Sequence, residues 1–119
     1  MILVVDDEPI IRALVVDVVE DLGYAAMEAG DGQRGLEAIN SHAQVQLLIT
    51  DIGLPSGMNG RQLADAARAT RPGLKVLFIT GNAFSGAIAG QALEEGMHVL
   101  AKPFDLGVLA DKVREILDA

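Results

Sequence analysis

The sequence predicts an α/β fold, a single open sheet of parallel strands with helices on both faces. Three observations lead there. Short aliphatic runs alternate with longer helical patterns five times, and such alternation implies parallel βαβ crossovers. The chain has 119 residues, which suits one domain and is too short for an eight-unit barrel. Hydrophobic residues make up 50% and charged residues 22%, enough apolar material for a core and too much for intrinsic disorder.

The elements follow in order. Ile2–Val5 is a continuous apolar run that suits a strand buried on both faces, and Asp6-Asp7-Glu8 ends it. Pro9 sits where a first helical residue belongs. Ile10, Ile11, Leu14, Val15, Val18, Val19 and Leu22 follow at helical spacing, with Arg12, Asp17, Glu20 and Asp21 mostly opposite. Gly23 stops this helix. Tyr24–Ala29 reads as the second strand, Gly30-Asp31-Gly32 as a turn and Gln33–Ser41 as the second helix. Val45–Thr50 is the third strand, ending at Asp51. The loop to Asn59 holds Gly53, Pro55, Ser56 and Gly57. Gly60–Thr70 is an Ala-rich helix closed by Arg71-Pro72-Gly73, and Lys75–Thr80 is the fourth strand. Ser85–Glu95 reads as the fourth helix, with interior glycines at Gly86 and Gly90 that suit either close packing or a loosely held, shifting helix. Val99–Ala101 is the fifth strand and Asp105–Leu117 the last helix, with Leu106, Leu109, Val113, Ile116 and Leu117 on one face.

Charge narrows the function. The net charge is −8, which repels nucleic acid and anionic lipid and suits a hard cation or a basic partner. Without Asp6, Asp7, Glu8 and Asp51 it would be −4, from 13 acids against 9 bases, so half the excess lies in two short segments. There is no cysteine, hence no disulfide framework and no thiolate metal site. Aromatic content is 3%, too little for a base-stacking platform. The longest apolar run is five residues, Met1–Val5, so neither a membrane span nor a signal peptide is expected. His42 and His98 do not pair as metal ligands by their spacing, and Met27, Met58 and Met97 read as packing residues.

In an open parallel sheet, sites form beyond the carboxyl ends of the strands. Those ends present Asp6-Asp7, Asp51, Thr80 and Lys102. If the first and third strands are neighbours, three carboxylates converge, and such crowding is unfavourable unless a cation neutralises it. Carboxylate, carbonyl and water oxygens suit magnesium. A hydroxyl at Thr80 and a cation at Lys102 would then surround a small anionic group on Asp51. That is a site for phosphoryl transfer to a carboxylate. Taken singly, each motif has a plainer explanation: helix capping for Asp6-Asp7-Glu8, a turn for Asp51 and Thr80-Gly81, a solvated charge for Lys102.

The stretches Val4-Val5-Asp6-Asp7-Glu8-Pro9, Thr50-Asp51-Ile52-Gly53-Leu54-Pro55, Phe78-Ile79-Thr80-Gly81 and Ala101-Lys102-Pro103-Phe104 resemble, in this order, the receiver domain of two-component response regulators. The resemblance covers essentially residues 1–119. It implies a flavodoxin-like (βα)5 doubly wound sheet with strand order 2-1-3-4-5. It also implies that Asp51 is the phosphoacceptor, in a magnesium-dependent reaction. Asp7, Asp51 and the carbonyl of Gly53 would bind Mg2+ directly, and Asp6 largely through water. Thr80 and Lys102 would bind the phosphoryl group, and the Lys102–Pro103 bond would be cis. The donor would be a phosphohistidine on a sensor histidine kinase or histidine phosphotransfer protein, docking on the first helix and the loops around the pocket. Such a domain is a cytoplasmic signalling module rather than an enzyme in its own right. It switches binding of a downstream protein, an attached kinase or output domain, or a second copy in a phosphorylation-dependent homodimer.

Three departures from the family pattern stand out. Val99 occupies the position where the family often has a switching aromatic. The loop after Pro55 is one residue longer than the common form, as in receivers attached to hybrid histidine kinases. No output domain follows Ala119, as in a stand-alone receiver or one cut from a longer protein. Of the rival readings, a flavodoxin would need a hydroxyl- and glycine-rich phosphate loop after the first strand. A haloacid-dehalogenase-like phosphatase would carry its nucleophilic Asp there. A Walker loop is absent. A phosphorylation-independent interaction module with a receiver-like fold is the remaining alternative.

Overall fold

The structure, a computed structural model, describes residues 1–54, 57–81, 95–102 and 104–118. The expected fourth helix at 85–95, with Gly86 and Gly90, falls almost wholly outside these, and Pro55, Ser56 and Pro103 fall outside entirely. The described elements are β1 (Ile2–Val5), α1 (Pro9–Asp21), β2 (Ala26–Ala29), α2 (Gly32–Ser41), β3 (Leu47–Asp51), α3 (Gly60–Thr70), β4 (Lys75–Thr80), β5 (Met97–Ala101) and α4 (Leu106–Asp118).

All adjacent strands pair in parallel, in the order β2-β1-β3-β4-β5. The period-2 geometry of a strand sends alternate side chains to opposite faces, and both faces here are apolar. Leu3, Val5, Leu48, Val76 and Phe78 point to one side, where Ile39 of α2 and Leu63, Ala64 and Ala67 of α3 cover them. Ile2, Val4, Leu47, Ile49, Leu77 and Ile79 point to the other, against Val15, Val18 and Val19 of α1 and Leu109, Val113 and Ile116 of α4. Each fully buried Leu, Ile, Val or Phe contributes roughly 1.5–3 kcal/mol, so the two cores hold the sheet between two helical layers.

Ends of elements differ from the sequence reading for local reasons. Gly23 adopts φ +95°, the left-handed conformation that ends a helix. Tyr24 donates its N–H to Val19 O, so it completes that turn and leaves the strand to begin at Ala26. β5 starts two residues earlier than expected, because Gly96 at φ +84° turns the chain and Met97 pairs with Val76. Val99 lies opposite Phe78 and packs, half-buried, on the α2–α3 side of the sheet. Among the described residues no helix is long and apolar enough to cross a membrane.

Candidate functional site

The site lies where β1, β3, β4 and β5 run out. The register aligns Val5 with Thr50, Asp51 with Ile79, and Thr80 with Ala101. The residue just past β1, the last of β3, the last of β4 and the one just past β5 therefore share one end of the sheet. They are Asp6, Asp51, Thr80 and Lys102. Asp6 and Thr80 are each 2% exposed and Asp51 is 9% exposed, and with Thr50 they are the buried polar residues among those described.

Lys102 ties the cluster together. Its Nζ is 3.1 Å from Asp51 Oδ2, 3.8 Å from Glu8 Oε1 and 3.9 Å from Asp6 Oδ2. Its backbone N–H donates to Thr80 O at 2.7 Å, which fixes the end of β5 against β4. The other Asp51 oxygen, Oδ1, accepts the Gly53 N–H at 3.0 Å. Asp6 Oδ1 accepts the Glu8 N–H at 2.9 Å. Glu8 is the N-cap of α1 but makes no side-chain cap bond, and the first turn of α1 holds no acid. Helix capping therefore does not account for the acidic run.

One oxygen each from Asp6, Glu8 and Asp51 lie within 4.8 Å of one another. An all-oxygen set this crowded fits a hard divalent cation. The structure thus brings Asp6, Asp51, Thr80 and Lys102 together as the sequence predicts, with Gly53 bonded to Asp51. Asp7 is exposed and outside the three-residue cluster, and Glu8 stands there instead. Glu8 is a residue that the sequence reading passed over; the signal was its i, i+2 spacing from Asp6 across the bend before Pro9.

The electrostatics carry the strain of this arrangement. Burial raises the Asp6 pKa above its ordinary value, and the charges of Asp51 and Asp7 add to this against the Glu8 N–H and Lys102. Burial pulls Lys102 down, but the hydrogen bond and charge of Asp51, with Asp6 and Glu8, outweigh it and leave its pKa raised. Both shifts have the same sign in linkage. Asp6 favours folding below its unfolded pKa, near 3.8, and this contribution is lost as pH rises through its folded value. Lys102 favours folding below 10.5, and that contribution falls away between 10.5 and its raised folded value and is gone above it. At neutral pH the domain therefore holds a charged lysine beside a carboxylate that would be easier to keep protonated.

The start of α3 is seated against the end of β3. Asn59 caps α3 by accepting the Gln62 N–H at 2.8 Å, and Gln62 Oε1 accepts the Asn59 N–H at 3.0 Å, a reciprocal capping box. Gly60, the first residue of α3, donates to Ile52 O at 2.9 Å. A Cβ there would lie 2.2 Å from the carbonyl oxygen of Asp51. α3 can start against the end of β3 only because that residue is glycine.

Comparisons with known proteins agree with this fold. The family description "response regulator receiver domain" matches residues 2–114. The chain is 37% identical over 110 residues to the sensor histidine kinase RcsC of Salmonella typhimurium, covering 92% of this chain and 11% of that protein. It is 32% identical over 118 residues to the response regulator receiver protein CpdR of Brucella abortus, covering 99% of this chain and 97% of that one. The chain thus spans about a tenth of the sensor-kinase relatives it matches and nearly all of the small receiver protein. The solved receiver domain of the hybrid histidine kinase CckA superposes with TM-score 0.81 at 32% identity, covering 98% and 97% of the two chains.

Proposed function

Since the chain belongs to the response regulator receiver family, we propose that it accepts a phosphoryl group on Asp51 and thereby switches the binding of a partner. The observation that supports this most is the Lys102 Nζ held 3.1 Å from Asp51 Oδ2 beside the buried carboxylate of Asp6. The donor is a phosphohistidine of a sensor histidine kinase or histidine phosphotransfer protein. A carboxylate oxygen of Asp51 attacks phosphorus, the new P–O bond forms, and the P–N bond breaks. The electron pair goes to the histidine nitrogen, which then takes up a proton.

Each residue has a task in that step. Gly53 N–H holds Asp51 Oδ1 and so orients the nucleophile. Lys102 and Thr80 offer a cation and a hydroxyl donor to the phosphoryl oxygens. Asp6, Asp51, Asp7 and the Gly53 carbonyl, with Glu8 from the observed cluster, are the groups that would hold Mg2+. When bound, Mg2+ offsets the repulsion between the carboxylates and the incoming phosphoryl group. On this reading it is a cytoplasmic phosphoacceptor rather than an enzyme acting on a separate substrate.

An apolar surface adjoins the site. Ile10, Leu14 and Leu106 are exposed at 76%, 41% and 43%. A cavity of about 440 Å³ runs from Ile11 and Leu14 to Phe104, Leu106 and Lys102. Exposed apolar groups rimmed by charge mark partner sites, and this one lets the histidine-bearing partner reach Asp51.

Incubation with a small phosphodonor and Mg2+, read by intact mass, tests the proposal. The expected result is a gain of one phosphoryl group that is lost with a chelator and lost in Asp51→Asn. No gain in the wild-type domain would leave the phosphorylation-independent interaction module as the better reading.

A further inference from the structure

The acidic turn between β1 and α1 is held from behind by a residue that does not line the site. Arg12 lies one helical turn into α1, and its side chain is only 22% exposed. Its Nη1 donates to the backbone carbonyl of Asp6 at 2.8 Å, and its Nε donates to Glu28 Oε1 at 3.0 Å. Glu28 sits on β2 opposite Val4 of β1. One guanidinium therefore links α1, the end of β1 and the sheet's edge strand. Asp6 N–H also bonds across to Ala29 O at 3.2 Å, so the peptides on both sides of Asp6 are pinned.

The peptide between Asp6 and Asp7 is planar and stiff. Fixing its carbonyl oxygen, with the Asp6 N–H bonded to Ala29 O, sets the direction in which the Asp6 Cα–Cβ bond leaves the backbone and the plane of the Asp7 amide. The planar fork of Arg serves two acceptors at once, which a Lys ammonium on a flexible stem does far less well. Partners that orient metal-ligating carboxylates, without touching the metal, typically change affinity 10–100-fold when removed.

We propose that Arg12 is a positioning residue for the acidic notch, setting its affinity for divalent cations through the Asp6 carbonyl and the Glu28 carboxylate. This rests on the phosphoacceptor reading above. It separates three groups of residues: those that carry the chemistry, those that carry the fold, and Arg12, which aims the first without being needed for the second.

The test is Mg2+ titration of wild type, Arg12→Met, Arg12→Lys and Glu28→Gln, with the folded fraction of each measured by denaturation without metal. Amide chemical shifts of Asp6 and Asp7 are recorded in the same metal-free samples. Arg12→Met should weaken Mg2+ binding about tenfold or more and move both amide resonances while staying folded. Its phosphorylation rate should recover at saturating Mg2+, so that the half-saturating Mg2+ rises and the maximal rate stays. Arg12→Lys should recover only part of the affinity, and Glu28→Gln should fall between wild type and Arg12→Met. A folded Arg12→Met with Mg2+ affinity within twofold of wild type would overturn the role of Arg12 alone. A wild-type domain that binds no Mg2+ would overturn this inference together with the Mg2+-dependent reading beneath it.

Discussion

Gly60→Ala will destabilise the domain by roughly 3 kcal/mol, at the upper end of what inserting one methyl into a packed interior costs. The reason is local. The added Cβ would stand 2.2 Å from the Asp51 carbonyl oxygen and 2.9 Å from both the Asp51 carbonyl carbon and Ile52 Cα. These are backbone atoms, so no rotamer change relieves the contact. Either α3 retreats from β3 and stretches the Gly60 N–H bond to Ile52 O, or the Asp51 peptide rotates and carries the nucleophile with it. Both outcomes damage the site, so slower phosphoryl acceptance should accompany the lower stability. Gly73→Ala is the control. A Cβ at Gly73 meets nothing within 4 Å, and the change should be close to neutral. Urea denaturation of the two variants decides the matter, and equal stabilities would contradict the account of how α3 is seated.

Lys102→Met should move two properties in opposite directions. Its ammonium is the cation shared by Asp51, Asp6 and Glu8. The side chain is 20% exposed, so the attraction is only partly screened, and the exposed Glu8 adds little. Removing the charge leaves the Asp6 and Asp51 carboxylates uncompensated, and the metal-free protein should lose about 1–2 kcal/mol at neutral pH. Mg2+ should then stabilise the variant more than the wild type, because no resident ammonium competes for the same oxygens. Phosphoryl acceptance should nevertheless fall about 100-fold, the usual cost of deleting one donor to a developing anion. Thermal unfolding with and without Mg2+, beside a phosphorylation time course, reads both effects. If metal stabilisation and acceptance rate fell together, Lys102 would be acting mainly as structure.

Much of this was legible in the sequence because β1, β3 and β4 each carry a continuous apolar run that stops at a polar residue. Ile2–Val5 and Lys75–Thr80 could be bounded to the residue, and with them the positions of Asp6 and Thr80. The strand order came with the family resemblance, since periodicity says nothing about which strands are neighbours. The edges of β2 and β5 were harder to place. An Ala-rich strand resembles a helical turn, and a strand containing His98 breaks the apolar run by which β5 would be recognised. The site's contacts needed three dimensions. Glu8 joins the carboxylate cluster and Asp7 does not, a distinction set by the bend before Pro9. Arg12 reads in sequence as the polar side of an amphipathic helix. Only the fold brings its guanidinium to Glu28 and the Asp6 carbonyl.

The claim on which the rest depends is that these buried acids are held together for a divalent cation. Calorimetric titration with Mg2+ from neutral to mildly acidic pH tests it most directly. The account predicts one saturable site at neutral pH, with a higher unfolding temperature when it is filled. It also predicts that affinity weakens on acidification from above the ordinary carboxylate range, because the raised pKa of Asp6 lets protons compete early. A protein with no binding heat and no change in unfolding temperature across that range would contradict it.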